Sequence, residues 1–132
     1  MKVLIADPDW HFSQRVSRFL EDRAHLAVQE STADAALERA RLWLPDLAIL
    51  ASELAIRDGV MDELSSLKPR PAVLLTEGLD RFDRAWRAWQ QGGDELLVKP
   101  VLSSRDLHQA IVTARENAAT GARPQKAAAV SA

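Results

Sequence analysis

The apolar positions of this chain fall into short unbroken or alternating runs, separated by longer stretches in which apolar residues recur every three or four positions. The first run is Val3 to Ala6, stopped by Asp7-Pro8-Asp9. A helix follows, starting near Pro8, which suits a first helical position, with Asp7 or Asp9 as its cap. Phe12, Val16, Phe19 and Leu20 form its buried stripe. Leu26 and Val28 alternate with Ala27 and Gln29, the period of a strand with one face half exposed and hence of an edge strand. Ser31-Thr32-Ala33-Asp34 reads as a helix start, and Ala36, Leu37, Ala40 and Leu44 carry the helical period to a stop at Pro45.

Leu47 to Leu50 runs without a polar break, as a central strand covered on both faces does, and Ala51 stands at its carboxyl end. Ser52 to Asp58 reads as a polar loop, followed by a short helix from Gly59 to about Leu67 that Pro69 and Pro71 close. Ala72 to Leu75 is a fourth buried strand ended by Thr76. Asp80 is placed to cap the next helix, whose stripe is Phe82, Ala85, Trp86 and Trp89, and Gly92-Gly93 terminates it. Leu96 to Val98 is a fifth strand ended by Lys99-Pro100, and Ser103 or Ser104 opens a last helix carrying Leu107, Ile111 and Ala114.

Strands alternating with helices in this way predict an α/β fold: a doubly wound, five-stranded parallel sheet with helices on both faces, because each parallel strand requires a right-handed crossover. The half-exposed second strand favours the flavodoxin-like order 2-1-3-4-5, with the switch point between strands one and three. That order brings Asp7, Ala51, Thr76 and Lys99 to strand carboxyl ends around one crevice. The domain is read as residues 1–118. Residues 119–132, with Gly121, Pro124 and only Val130 as a large apolar side chain, read as a disordered tail.

Composition narrows the chemistry. The 132 residues contain no cysteine, which excludes disulfides, thiol nucleophiles and thiolate metal sites. A net charge of -2 gives no global reason to expect nucleic acid or a membrane surface as partner. The apolar run at the amino terminus is too short for a signal peptide or membrane span, so the expected location is the cytoplasm. His11, His25 and His108 show no ligand spacing and read as surface residues. Catalysis finds no support in any nucleophile-elbow serine or Gly-rich phosphate loop, and the chain is read as not an enzyme.

Over residues 2 to about 118 the chain resembles the receiver domain of bacterial two-component response regulators. The resemblance rests on Val3-Leu4-Ile5-Ala6-Asp7, on Pro45-Asp46-Leu47 leading the third strand, on Asp58-Gly59 after it, on Leu75-Thr76, and on Gly92-Gly93-Asp94-Glu95-Leu96-Leu97-Val98-Lys99-Pro100. It implies a phosphorylation switch in which an aspartate ending strand three accepts a phosphoryl group from a histidine kinase with the help of a divalent metal. The Thr ending strand four and the Lys ending strand five would hold the phosphoryl oxygens, and an aromatic residue on strand five would change rotamer with them.

The chain departs from that pattern where the chemistry is done. The acceptor position is Ala51, the second position of the acidic pair is Pro8, and the switching aromatic is Leu96; Asp7 is retained, Asp9 lies one residue beyond the usual pair, and Thr76, Lys99 and Pro100 remain. With one carboxylate certain in the pocket, no useful Mg²⁺ site is expected. Lys99, lacking a phosphoryl partner, is expected to pair with Asp7. A protein-interaction module follows, a pseudo-receiver standing alone without an output domain. Its docking face would lie on Arg84, Trp86, Arg87, Leu96 and Pro100, and its partner would be a histidine kinase, an output protein or a second copy. Two alternatives stay open: a phosphorylatable receiver using Ser52 or Glu53, and a binder of small molecules or nucleotides in the crevice.

Overall fold

The computed structural model describes residues 1–101 and 103–121. In chain order its elements are β1 (Lys2–Ala6), α1 (Trp10–Glu21), β2 (Leu26–Glu30), α2 (Ala33–Trp43), β3 (Leu47–Ala51), α3 (Ser52–Ala55), α4 (Val60–Ser66), β4 (Ala72–Gly78), a 3₁₀ turn (Leu79–Arg81), α5 (Phe82–Gln90), β5 (Glu95–Lys99) and α6 (Ser104–Thr120). The five strands are parallel, in the order β2-β1-β3-β4-β5.

The two-residue period of the strands divides the core into two layers. Val3 and Ile5 of β1, Leu47 and Ile49 of β3 and Leu74 of β4 pack under α1 and α6. Their neighbours Leu4, Leu50, Val73 and Leu75 pack under α2 to α5. Strand β3 is buried at every position, as its unbroken apolar run requires, whereas β2 is the half-exposed edge. Leu26, at the start of that edge, is open to solvent.

Several local expectations are corrected. Residues 52–55 form a helix, because Leu54 and Ala55 turn inward against the α5 layer and their burial outweighs the polar look of the stretch. Helix α1 starts at Trp10, after Pro8, with Asp9 accepting from the Phe12 amide at 3.1 Å. Asp80 does not cap α5: the 3₁₀ turn intervenes, and Arg81 holds the cap position without a side-chain capping bond. Leu44 leaves the stripe of α2, since it adopts a left-handed conformation (φ 51°) as the C-cap before Pro45 and faces outward. Phe82 is likewise half exposed. Helix α6 runs to Thr120, past residue 118, and is closed by Gly121 at φ 70°; the expected tail over 122–132 lies outside the described residues.

The amino-terminal end of the sheet carries its own tie. Asp94, 5% exposed, accepts from both terminal nitrogens of Arg70 (3.1 and 3.3 Å) and from the Val73 amide (2.7 Å). Asn117 of α6 donates to the Asp94 carbonyl at 2.8 Å, so β4, the entry to β5 and α6 are fastened at one point. Beside it, a Cβ on Gly93 would stand 2.3 Å from Leu75 Cδ1, and only a residue without one fits.

Candidate functional site

Strand register places the crevice residues. Ala51 closes β3 directly opposite Thr76 of β4, Lys99 ends β5, and Asp7 follows β1. All stand at carboxyl ends around the switch point between β1 and β3, where open α/β sheets bind their ligands.

Lys99 Nζ donates to Asp7 Oδ2 at 2.5 Å. Because β3 and β4 lie between β5 and β1, the lysine stem must reach across the end of the sheet past the Ala51 methyl group. It lies over the Phe12 ring of α1, with Nζ 4.2 Å from the ring centroid, a cation–π contact that helps hold an otherwise flexible stem. Thr76 Oγ1 makes a long contact of 3.5 Å with the same carboxylate oxygen, and the Asp9 amide donates to the other at 2.8 Å. Asp7 is 1% exposed, so the ammonium answers a charge that has little access to water.

The donor set does not fit a divalent cation. Pro8 offers no ligand, Ala51 offers none, the Asp9 carboxylate is engaged as the cap of α1, and Asp7 is taken by Lys99. Among the described residues no group of three or more His, Asp or Glu side chains is arranged to hold a metal. Ser52 is fully buried with no partner for its hydroxyl, and Glu53 points to solvent on α3.

The residues proposed for the docking face separate into two groups. Arg84 is turned inward: its Nε and a terminal nitrogen meet the Glu77 carboxylate at 2.7 and 3.0 Å, and that bond raises the guanidinium pKa above its ordinary value. Leu96 is half buried against the core. Trp86 is likewise half buried and packs against the same core from α5; Arg87 and Pro100 are exposed, and Leu79, Phe82 and Val98 add exposed apolar surface, Phe82 from the stripe read as buried. Phe12 and Glu77 were also missed. Phe12 reads as plain core stripe, and nothing in the local spacing of Glu77 and Arg84 marks them as a pair.

Strand order and crevice give the chain the fold of response-regulator receiver domains, with alanine closing the third strand. No family model matches the chain. It is 34% identical over 113 residues to the transcriptional regulatory protein PdtaR of Mycobacterium tuberculosis, in strains CDC 1551 and H37Rv, over 83% of this chain and 54% of the relative. The chain thus spans about half the length of the curated relatives it matches. Among solved structures, the receiver domain of NtrX from Brucella abortus superposes with a TM-score of 0.74 at 22% identity, over 86% of this chain and 98% of that one. A response regulator receiver domain protein from Clostridium thermocellum gives 0.73 at 24% (88% and 94% covered), and a CheY-like one from Methanospirillum hungatei 0.75 at 20% (91% and 97%). These structures share the fold. No helix among the described residues is long and apolar enough to cross a membrane.

Proposed function

We propose that this receiver domain carries its signal by docking to another signalling protein and not by accepting a phosphoryl group on aspartate. One observation carries the reading: the acceptor position holds the buried methyl group of Ala51, and the cation that would meet a phosphoryl oxygen is bonded to Asp7 instead. In-line phosphoryl transfer depends on a positioned nucleophile and on neutralised charge, and this crevice supplies neither nucleophile nor metal ligands. Ser52 does not replace the aspartate, because a hydroxyl with no solvent exposure offers no path for a phosphodonor.

The docking face in this reading is the outer surface of α5 and β5, with Trp86 as anchor, Arg87 and Pro100 beside it, and Leu79, Phe82 and Val98 as apolar surround. The partner is a histidine kinase, an output protein or a second copy of the chain, met in the cytoplasm, and nucleic acid is not its target.

Three tests address this. Incubated with a small phosphodonor and Mg²⁺, the wild-type chain takes up no acid-stable, base-labile label; a stable acyl phosphate would overturn the reading. Trp86→Ala abolishes binding to a partner kinase or output protein while the fold, followed by circular dichroism, is kept; unchanged binding would move the docking face elsewhere. The paired variant Ala51→Asp with Pro8→Asp restores both a nucleophile and a metal ligand and is expected to take up label.

A further inference from the structure

We propose that a cavity at the opposite, amino-terminal end of the sheet, between α1 and α6, binds a small amphipathic carboxylate whose head group is met by Arg23 and Arg115. The cavity measures about 330 Å³, at the lower end of the size range of small-molecule sites. Its walls are Phe19 and Leu20 from α1 and Ile111 and Val112 from α6. An apolar body of modest length fits such walls.

The polar lining is mostly basic. Arg23 is held in place by stacking 3.8 Å over the Phe19 ring and by donating one terminal nitrogen to the Phe19 carbonyl at 3.1 Å, which leaves its second terminal nitrogen and its Nε as donors. Arg115 makes no hydrogen bond or ion pair among the described residues. His25 and His108 also line the cavity, and the Met1 nitrogen meets His25 Nδ1 at 3.0 Å. Burial, the charge at Met1, Arg115 and Arg23, in that order, all hold the His25 pKa below its ordinary value, which registers the positive potential converging there. Glu116 is the single carboxylate of the lining and does not balance two arginines.

A cationic ligand would face that potential unpaired, whereas an anionic head group meets the exposed guanidinium groups of Arg23 and Arg115 at the cavity mouth. A carboxylate supplies the planar acceptor that a guanidinium fork matches. The site shares no residue with the crevice and stands whether or not the crevice is phosphorylated.

The probe is decanoate, titrated into the full chain below its micelle-forming concentration and followed by amide chemical shifts. The expected result is saturable shifts confined to residues 19–26 and 108–116, with none from decylammonium, which carries the same tail and the opposite head charge. Arg115→Gln removes no contact that the described fold uses, and it is expected to weaken decanoate about tenfold, as the loss of one charged hydrogen-bonded pair does. Three outcomes overturn the proposal: no saturable shift or shifts centred on the crevice, equal binding of decylammonium, or wild-type affinity in a folded Arg115→Gln variant.

Discussion

The two ends of the sheet each bury an aspartate against a cation, and they hold it differently. At the amino-terminal end, Asp94 faces a planar guanidinium that donates twice and a backbone amide fixed by β4. At the carboxyl-terminal end, Asp7 meets one lysine on a long stem, the Asp9 amide and a stretched threonine contact. The first set of donors is supplied by neighbouring backbone and a rigid fork, and it acts as a clamp. The second relies on a single point charge on a flexible stem that reaches this carboxylate from three strands away. In this crevice the lysine closes an internal pair.

The comparison is sharpest in the response to losing each cation or carboxylate. Lys99→Ala strands a carboxylate that is 1% exposed and is expected to cost about 3 kcal/mol in urea unfolding, the largest effect of the set. A variant as stable as wild type would mean that the Asp9 amide alone suffices for Asp7. Asp94→Ala leaves the Val73 amide unbonded, but Arg70, with its side chain 32% exposed, can turn to water; about 2 kcal/mol is expected. If Asp94→Ala proved more costly than Lys99→Ala, the order of the two ends would be reversed. Gly93→Ala, beside the clamp, drives a Cβ toward Leu75 and is expected to cost about 1–2 kcal/mol, seen as a lower thermal midpoint.

The smallest effect is in pH. His25 titrates lower in the folded chain than its ordinary value of 6.5, so the unfolded chain binds the extra proton first. Its contribution to stability is full above about pH 6.5 and is lost as pH falls toward the lower folded value. His25→Gln removes that part of the slope, which thermal melts between about pH 7 and 5 read directly. An unchanged slope would place the pH response on other groups.

Much of this molecule was legible one residue at a time. Val3, Ile5, Leu47 and Ile49 alternate with Leu4 and Leu50 because a strand turns successive side chains to opposite faces, and that period alone marks two buried layers. Asp9, Thr32 and Ser103 cap their helices because a short side-chain oxygen can reach the free amide a few residues on. Ala51 at a strand's carboxyl end already says that no oxygen nucleophile stands there.

What the order of residues left open was settled by distance in space. Lys99 and Asp7 are separated by 92 positions, and Glu77 and Arg84 by a turn whose course no local propensity dictates. Residues 52–55 look polar and soluble, yet they fold into α3 because Leu54 and Ala55 find an apolar neighbour across the layer. Local periods and caps follow from the geometry of a few consecutive bonds, so composition and spacing reveal them. Which charge finds which depends on strand order and on the reach of a side chain across a finished sheet, and those come into being only when the chain is packed.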